Sequence, residues 1–350
     1  MVKVGIAGLG FMGVTHYRAW EHVAGAKVVA LCESNRQRLA GDWTDVQGNF
    51  GGSGGRVDVS DLACYEDFAA FVADPNLDLV DICLPTGAHR SLTITALQAG
   101  KHVQCEKPIA LTVEDADAMV AAARAADRFL TVGQVLRFWP EWLYLKRAVD
   151  SGEWGKLLSL NVRRIISAPD WSAEIRSTPA NGGPMIDLHI HDTDFVLYLL
   201  GKPARVFATG KDEGAYVSYV SAVYEYPGGP VVTCQSGAIA AKARPFCHGY
   251  EASFEHATLA FAAATEPAGL DPGAQRGASQ ALTVYKADGT VEFPTPPATE
   301  AFSAELGHAA QCVATGTRST LIDGQIARDA LALVYCEVES VRSGQVVTVP

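Results

Sequence analysis

The chain has 350 residues, enough for two domains with a core in each. It is 48% hydrophobic and 19% charged, an ordinary globular balance. Its formal net charge of −11 argues against nucleic acid or an anionic membrane as partner, because both recruit clustered Lys and Arg. The eight cysteines contain no C-x-x-C pair and lie mostly in apolar, strand-like runs, which predicts buried thiols in a reducing compartment. No apolar run reaches the roughly 18–20 residues of a membrane span and no leader pattern follows Met1, so the expected location is the cytoplasm.

Val2 to Ala7 reads as a short buried strand running into Gly8-Leu9-Gly10-Phe11-Met12-Gly13, then a helical pattern from Val14 to His22. This is G-x-G-x-x-G in a strand–turn–helix setting. Gly8 permits the turn, Gly10 lets a pyrophosphate approach the backbone, and Gly13 allows close helix–strand packing. The helix N-terminus supplies free N–H groups and a positive dipole end for phosphates. Lys27 to Cys32 is the second strand. Glu33 follows it, 20 residues after Gly13, where a carboxylate accepts hydrogen bonds from ribose hydroxyls. That favours NAD. Ser34, Arg36 and Arg38 follow at once and are suited to a 2′-phosphate, which leaves NADP open.

Residues 41–60 are Gly-rich and read as a surface loop, with a lid over the cofactor as the alternative. Tyr65 to Val72 reads as a helix and Leu79 to Leu84 as a buried parallel strand ending at Pro85-Thr86. His89 to Ala99 is a helix closed by Gly100. Lys101 to Cys105 is a strand whose end delivers Glu106-Lys107-Pro108. Thr112 and Asp115 cap a helix to about Ala126, and Phe129 to Val132 is a further strand. Strands alternating with helices predict a doubly wound parallel sheet with its ligands outside the carboxyl ends of the strands.

Beyond residue 130 the pattern changes. Leu157–Ile166, Arg205–Thr209, Tyr216–Tyr226, Val231–Ile239 and Tyr250–Phe261 read as strands, several with alternating polarity. Helices are expected at Pro140–Asp150, Phe302–Ala314 and Gly324–Arg342. The expected architecture is α/β, with a doubly wound domain over 1–130 and an α+β domain with a large, mostly antiparallel open sheet over 131–350. The final helices have the option of packing back on the first domain.

Two stretches carry chemistry. Lys107, at the carboxyl end of a parallel strand, points at the cofactor cleft and is a candidate acid/base, with Pro108 stiffening the turn and Glu106 beside it. Gly182 to Asp194 packs Asp187, His189, His191, Asp192 and Asp194 into eight positions ahead of an apolar helical run. Asp187 and His191, four apart on one helix face, suit a carboxylate that orients an imidazole. Metal binding is not expected: H-x-H finds no third histidine or cysteine at a convincing spacing.

These residues, with Leu84-Pro85-Thr86 and His89, Ala99 to Val103, Arg137-Phe138-Trp139-Pro140 and Ala304-Glu305-Leu306, resemble the Gfo/Idh/MocA oxidoreductase family over nearly the whole chain. The resemblance implies an N-terminal Rossmann domain, a tightly held nicotinamide cofactor, sugar or cyclitol substrates, and homodimers or homotetramers formed through the C-terminal sheet. It implies acid/base work for Lys107 and His191, and a substrate contact or orienting role for Asp187. Cofactor contacts are then expected from Gly8, Gly10, Phe11, Met12, Gly13, Glu33, Ser34 and Arg38, and from Pro85, Thr86, His89, Glu106, Lys107 and Gln134. Substrate contacts are expected from Lys107, Arg137, Trp139, Asp187, His189 and His191. Family members often carry Gly where His189 stands, so its imidazole is expected to narrow the pocket or add a polar contact. The expected reaction is hydride transfer between NAD(P) and a secondary hydroxyl of a sugar or cyclitol. The alternatives are a cofactor-recycling glycosidase or epimerase on the same scaffold, and a non-catalytic dinucleotide-binding protein.

Overall fold

In a computed structural model, which describes residues 1–48, 54–167, 181–241, 244–265 and 280–350, the chain forms two compact units. The first is Met1–Phe138 with Thr299–Asp329, and the second is Trp139–Ala298 with Ala330–Pro350. The first unit therefore runs past residue 130 and takes in a later segment of chain. Backbone and side-chain bonds explain why: Val132 N donates to Ile322 O at 2.9 Å and Gln104 Nε2 to Glu305 Oε1 at 3.1 Å.

Six strands make the first sheet: β1 (Val2–Ala7), β2 (Ala26–Cys32), β3 (Ala63–Tyr65), β4 (Leu79–Ile82), β5 (His102–Cys105) and β6 (Leu130–Val132). All pairs are parallel and the order is β3-β2-β1-β4-β5-β6. The order reverses direction at β1/β4, which opens a crevice at the carboxyl ends of those strands. Helices α1 (Phe11–Trp20), α2 (Arg36–Leu39), α3 (Phe68–Val72), α4 (Thr86–Gln98) and α5 (Val113–Ala125) connect them. The capping signals act as expected. Thr112 accepts from the Asp115 amide at 3.1 Å, and Gly100 closes its helix at φ +80°. Helix α4 starts at Thr86, three residues before the expected His89, with Pro85 as its N-cap. Val4, Ile6, Leu9, Trp20 and Leu31 form a core with Leu306 and Ala310, which lie on the helix Ala301–Thr315. Each Val, Leu or Ile side chain among them contributes about 1.5–3 kcal/mol on burial.

The second unit holds, among the described residues, a nine-stranded sheet ordered β14-β13-β12-β11-β7-β10-β9-β8-β15. Its strands are β7 (Leu157–Ser167), β8 (Arg205–Asp212), β9 (Val217–Glu225), β10 (Val231–Ala240), β11 (Phe246–Phe254), β12 (Ala257–Thr265), β13 (Gln280–Lys286), β14 (Val291–Glu292) and β15 (Val347–Thr348). Only the β7/β10 pair is parallel. The expected single strand Tyr250–Phe261 is instead the two arms of a hairpin, with Ser253 opposite Thr258 and the turn at Glu255-His256. A polar pair in a run otherwise reading as strand marked that turn. Helix α6 (Pro140–Ser151) begins with proline at its first turn, where the missing N–H costs nothing. No described helix is long and apolar enough to cross a membrane. Of residues 41–60, expected as a surface loop or a lid, 49–53 lie outside the described residues.

Candidate functional site

The three loop glycines meet three different surroundings. A Cβ on Gly8 (φ +91°) would meet the Cys83 carbonyl oxygen at 2.7 Å, and one on Gly13 would meet the Gly8 carbonyl oxygen at 1.9 Å. One on Gly10 would meet nothing within 4 Å. Gly8 and Gly13 are thus required by the fold, whereas Gly10 faces open space at the start of α1, where no side chain caps the helix. Open backbone at an uncapped helix N-terminus is what a pyrophosphate needs. Phe11 and Met12 fill the first turn.

Glu33 closes this loop. Its carboxylate accepts from the Leu9 amide at 2.8 Å and the Asn35 amide at 2.9 Å, with the Ser34 hydroxyl donating at 3.2 Å. Ser34 is thereby turned toward Glu33. Arg38 forks onto Asp45, Nη2 at 2.8 Å and Nε at 3.0 Å, and Arg36 pairs with Glu66. The residues fit a dinucleotide: an exposed glycine backbone for its phosphates and a fixed carboxylate for its ribose.

At the ends of the later strands, His89 Nε2 meets Leu84 O at 2.7 Å and Nδ1 meets Pro108 O at 2.9 Å. It is buried, and burial pushes its imidazole below the ordinary value against the pull of those carbonyls. His89, expected at the cofactor, therefore braces the turn after β4 against the turn after β5. Thr86 is buried at the first position of α4. The Lys107–Pro108 peptide is cis and Lys107 is partly exposed. Glu106, expected as a cofactor contact, turns inward: Oε2 accepts the Lys107 amide at 3.1 Å and Oε1 lies 3.0 Å from His16 Nε2. Gln134 is buried, its side-chain amide without a hydrogen-bond partner among the described residues. Arg137 is buried and donates to Leu321 O at 2.7 Å, within the first unit.

In the second unit, Met185–His189 forms a π-helical turn that leads into α7 (Ile190–Leu200). A π turn is a frequent mark of functional sites. Asp187 and His191 are both partly exposed, while His189, Ile190, Asp192 and Thr193 face inward. His189 is the correction: its relative exposure is 0%, and Nε2 lies 2.6 Å from Glu337 Oε2. It does not line a pocket. Glu337 Oε1 also accepts from Tyr224 at 2.9 Å and Thr193 at 3.1 Å. Burial opposes charge on His189, but Glu337 outweighs it and lifts the imidazole above its ordinary value. Asp192 is likewise internal, taking Arg164 Nε at 2.9 Å and Ser236 Oγ at 2.5 Å. Trp139 packs edge-on to His248 at 5.6 Å.

Sequence reading missed His16, Asp81, Arg164 and Glu337, and gave Glu305 no role. The signal for Asp81 was present: a carboxylate inside the buried strand Leu79–Ile82 must have a partner.

The glycine loop, the acidic end of β2 and the strand order define a Rossmann-type dinucleotide-binding unit, joined in one chain to an open-sheet unit. Two family models match: "Oxidoreductase family, NAD-binding Rossmann fold" over residues 2–134 and "GFO/IDH/MocA C-terminal domain" over residues 142–259. The chain belongs to the Gfo/Idh/MocA oxidoreductase family. It is similar to a myo-inositol 2-dehydrogenase of Thermotoga maritima, 31% identical over 60% of this chain and 58% of that one. It is also similar to a D-apiose dehydrogenase of Paraburkholderia graminis, 32% identical over 59% of this chain and 52% of that one. The matches thus span little more than half the length of those relatives. The fold is shared with the aldose-aldose oxidoreductase of Caulobacter crescentus solved with glycerol, at TM-score 0.79 and 23% identity over 99% of both chains.

Proposed function

We propose that the protein is a dehydrogenase that transfers hydride between NAD and a secondary hydroxyl of a sugar or cyclitol. The observation that carries this reading is the placement, on one sheet, of the open glycine loop, the fixed Glu33 carboxylate and Lys107 at the carboxyl end of β5. The nicotinamide supplies the hydride acceptor when bound. Gly10 and the first turn of α1 hold the pyrophosphate, and Glu33 takes the ribose hydroxyls. A 2′-phosphate would face that carboxylate, and Arg38 is already forked onto Asp45, so NAD is preferred over NADP.

Lys107 is assigned the exchange of the substrate hydroxyl's proton; in the second unit, Asp187 and His191, both on the partly exposed side of their helical turn, are assigned substrate contact and acid/base work. The relatives' names support a polyol substrate: one is a myo-inositol 2-dehydrogenase and another a D-apiose dehydrogenase. The test is a panel of cyclitols and aldoses, myo-inositol and D-apiose among them, each with NAD and with NADP, read by absorbance of the reduced nicotinamide. No reduction with any member would overturn the reading.

Two further elements belong to the proposal. Phe207, Val223, Val231 and Tyr285 share one face of the large sheet by register and are 42–64% exposed, so a second copy covers that face in a homodimer or homotetramer. All eight cysteines are free thiols, in keeping with a cytoplasmic location.

A further inference from the structure

What holds the Lys107 backbone lies underneath it. Glu106 curls back so that Oε2 accepts the Lys107 N–H at 3.1 Å, while Oε1 sits 3.0 Å from His16 Nε2. The other ring nitrogen of His16, Nδ1, is 2.9 Å from Asp81 Oδ2, and that oxygen also accepts the Trp20 indole N–H at 2.8 Å. His16 and Asp81 are fully buried and Glu106 is 6% exposed. His16 belongs to α1, three residues after Gly13, so the helix that opens at the glycine loop also carries this imidazole.

The groups facing His16 come from every element around it: Asp81 and Cys83 on and after β4, Glu106 after β5, and Glu305, which accepts from Gln104, on the helix Ala301–Thr315. Burial works against a charged His16, but Cys83 and Asp81 work for it, and the balance lies well above the ordinary histidine value. Cys83 is itself pushed up by burial and stays a thiol, so Asp81 is the partner that matters. Glu305 is raised well above the ordinary carboxylate value by burial and by Glu106, which favours its neutral form. An imidazolium between two carboxylates, beside a neutral acid, keeps the buried net charge small.

We infer that His16 is a positioning residue: through Glu106 it fixes the backbone of Lys107, and it ties that backbone to the helix that opens at the dinucleotide loop. The inference rests on the proposed role of Lys107 and is tested so that the two fail separately. Hydrogen exchange is followed by mass spectrometry on the full-length protein, with and without NAD, in the peptide spanning residues 103–112. The wild-type Lys107 amide exchanges slowly, and more slowly with NAD bound. His16→Gln speeds that exchange about tenfold or more, the factor expected for losing a hydrogen bond to a charged group, and abolishes the NAD effect, while peptides from β1 and β4 keep wild-type rates.

Asp81→Asn, which conserves volume, is the second variant should His16→Gln not fold, and it shifts exchange the same way. On any polyol that the substrate panel identifies, His16→Gln lowers kcat and leaves the KM for NAD unchanged. Wild-type exchange at Lys107 in a folded His16→Gln or Asp81→Asn protein overturns the inference. If Lys107→Ala keeps normal turnover, it is the acid/base role that falls, and the exchange result stands on its own.

Discussion

His189 Nε2 and Glu337 Oε2 lie 2.6 Å apart, both fully buried and 148 positions apart in sequence. An imidazole that the sequence placed in a substrate pocket thus holds the π turn to the helix Gly324–Ser343. Breaking such a pair leaves a buried charge uncompensated, at about 3–5 kcal/mol. His189→Gly, which removes the imidazole, should lower stability by that order and leave KM for substrate unchanged. A denaturant midpoint and a KM measured side by side decide it, and a shifted KM at unchanged stability would return His189 to the pocket.

Lys107→Ala should keep NAD affinity and lose at least about 10²-fold in turnover, the low end of general acid–base catalysis. Cofactor titration by fluorescence, followed by single-turnover kinetics on the best polyol, separates the two effects. Near-normal turnover would dismiss Lys107 as acid or base.

Gly10 and Gly13 should fail in different ways. Gly10→Ala puts its methyl in open space and should fold normally, with NAD affinity reduced by tenfold or more (about 1.4 kcal/mol) because the backbone is shielded from the pyrophosphate. In Gly13→Ala, a carbon 1.9 Å from the Gly8 carbonyl oxygen cannot be accommodated, so melting temperature drops as well. Equal melting temperatures for both variants would contradict the described packing.

Glu33→Ala removes the carboxylate that the Leu9 and Asn35 amides hold in place. NAD should bind more weakly by about tenfold, as for one lost charge-assisted contact, and the NAD-to-NADP preference should narrow because a 2′-phosphate no longer faces a negative group. Isothermal titration with each cofactor reads this directly. An unchanged ratio would point away from Glu33 as the discriminator.

His248 controls acid stability. Burial, with the nearby Arg164 charge, pushes it down to about 3 from the ordinary 6.5. Between those values the unfolded chain binds a proton that the folded chain refuses, so stability falls as pH drops through that window and this group adds no slope above it. At about 1.4 kcal/mol per pH unit the loss reaches a few kcal/mol near pH 4. His248→Phe, placed among Trp139, Trp142 and Phe261, should flatten the acid limb of the stability–pH curve. His189 has the opposite sign, since its raised value gives stability present at low pH that is lost as pH rises through it. Comparing the variant with the wild type isolates His248.

The parallel sheet, the glycine loop and Glu33 were legible from residues 1–130 because each rests on local rules. Periodicity names the strands, Gly allows the turn, and an acidic residue at a fixed spacing ends the second strand. The place of Lys107, two residues past the end of β5, was legible for the same reason, since a strand end fixes where the chain leaves the sheet. What tertiary structure alone decided was which polar side chains turn inward. Glu106 and Lys107 are neighbours, yet one meets His16 and the other is partly exposed; His189 and His191 are two apart, yet one meets Glu337 and the other is partly exposed. Burial of a charged group depends on a partner from a distant segment, and no local pattern encodes where residues 16, 305 and 337 arrive.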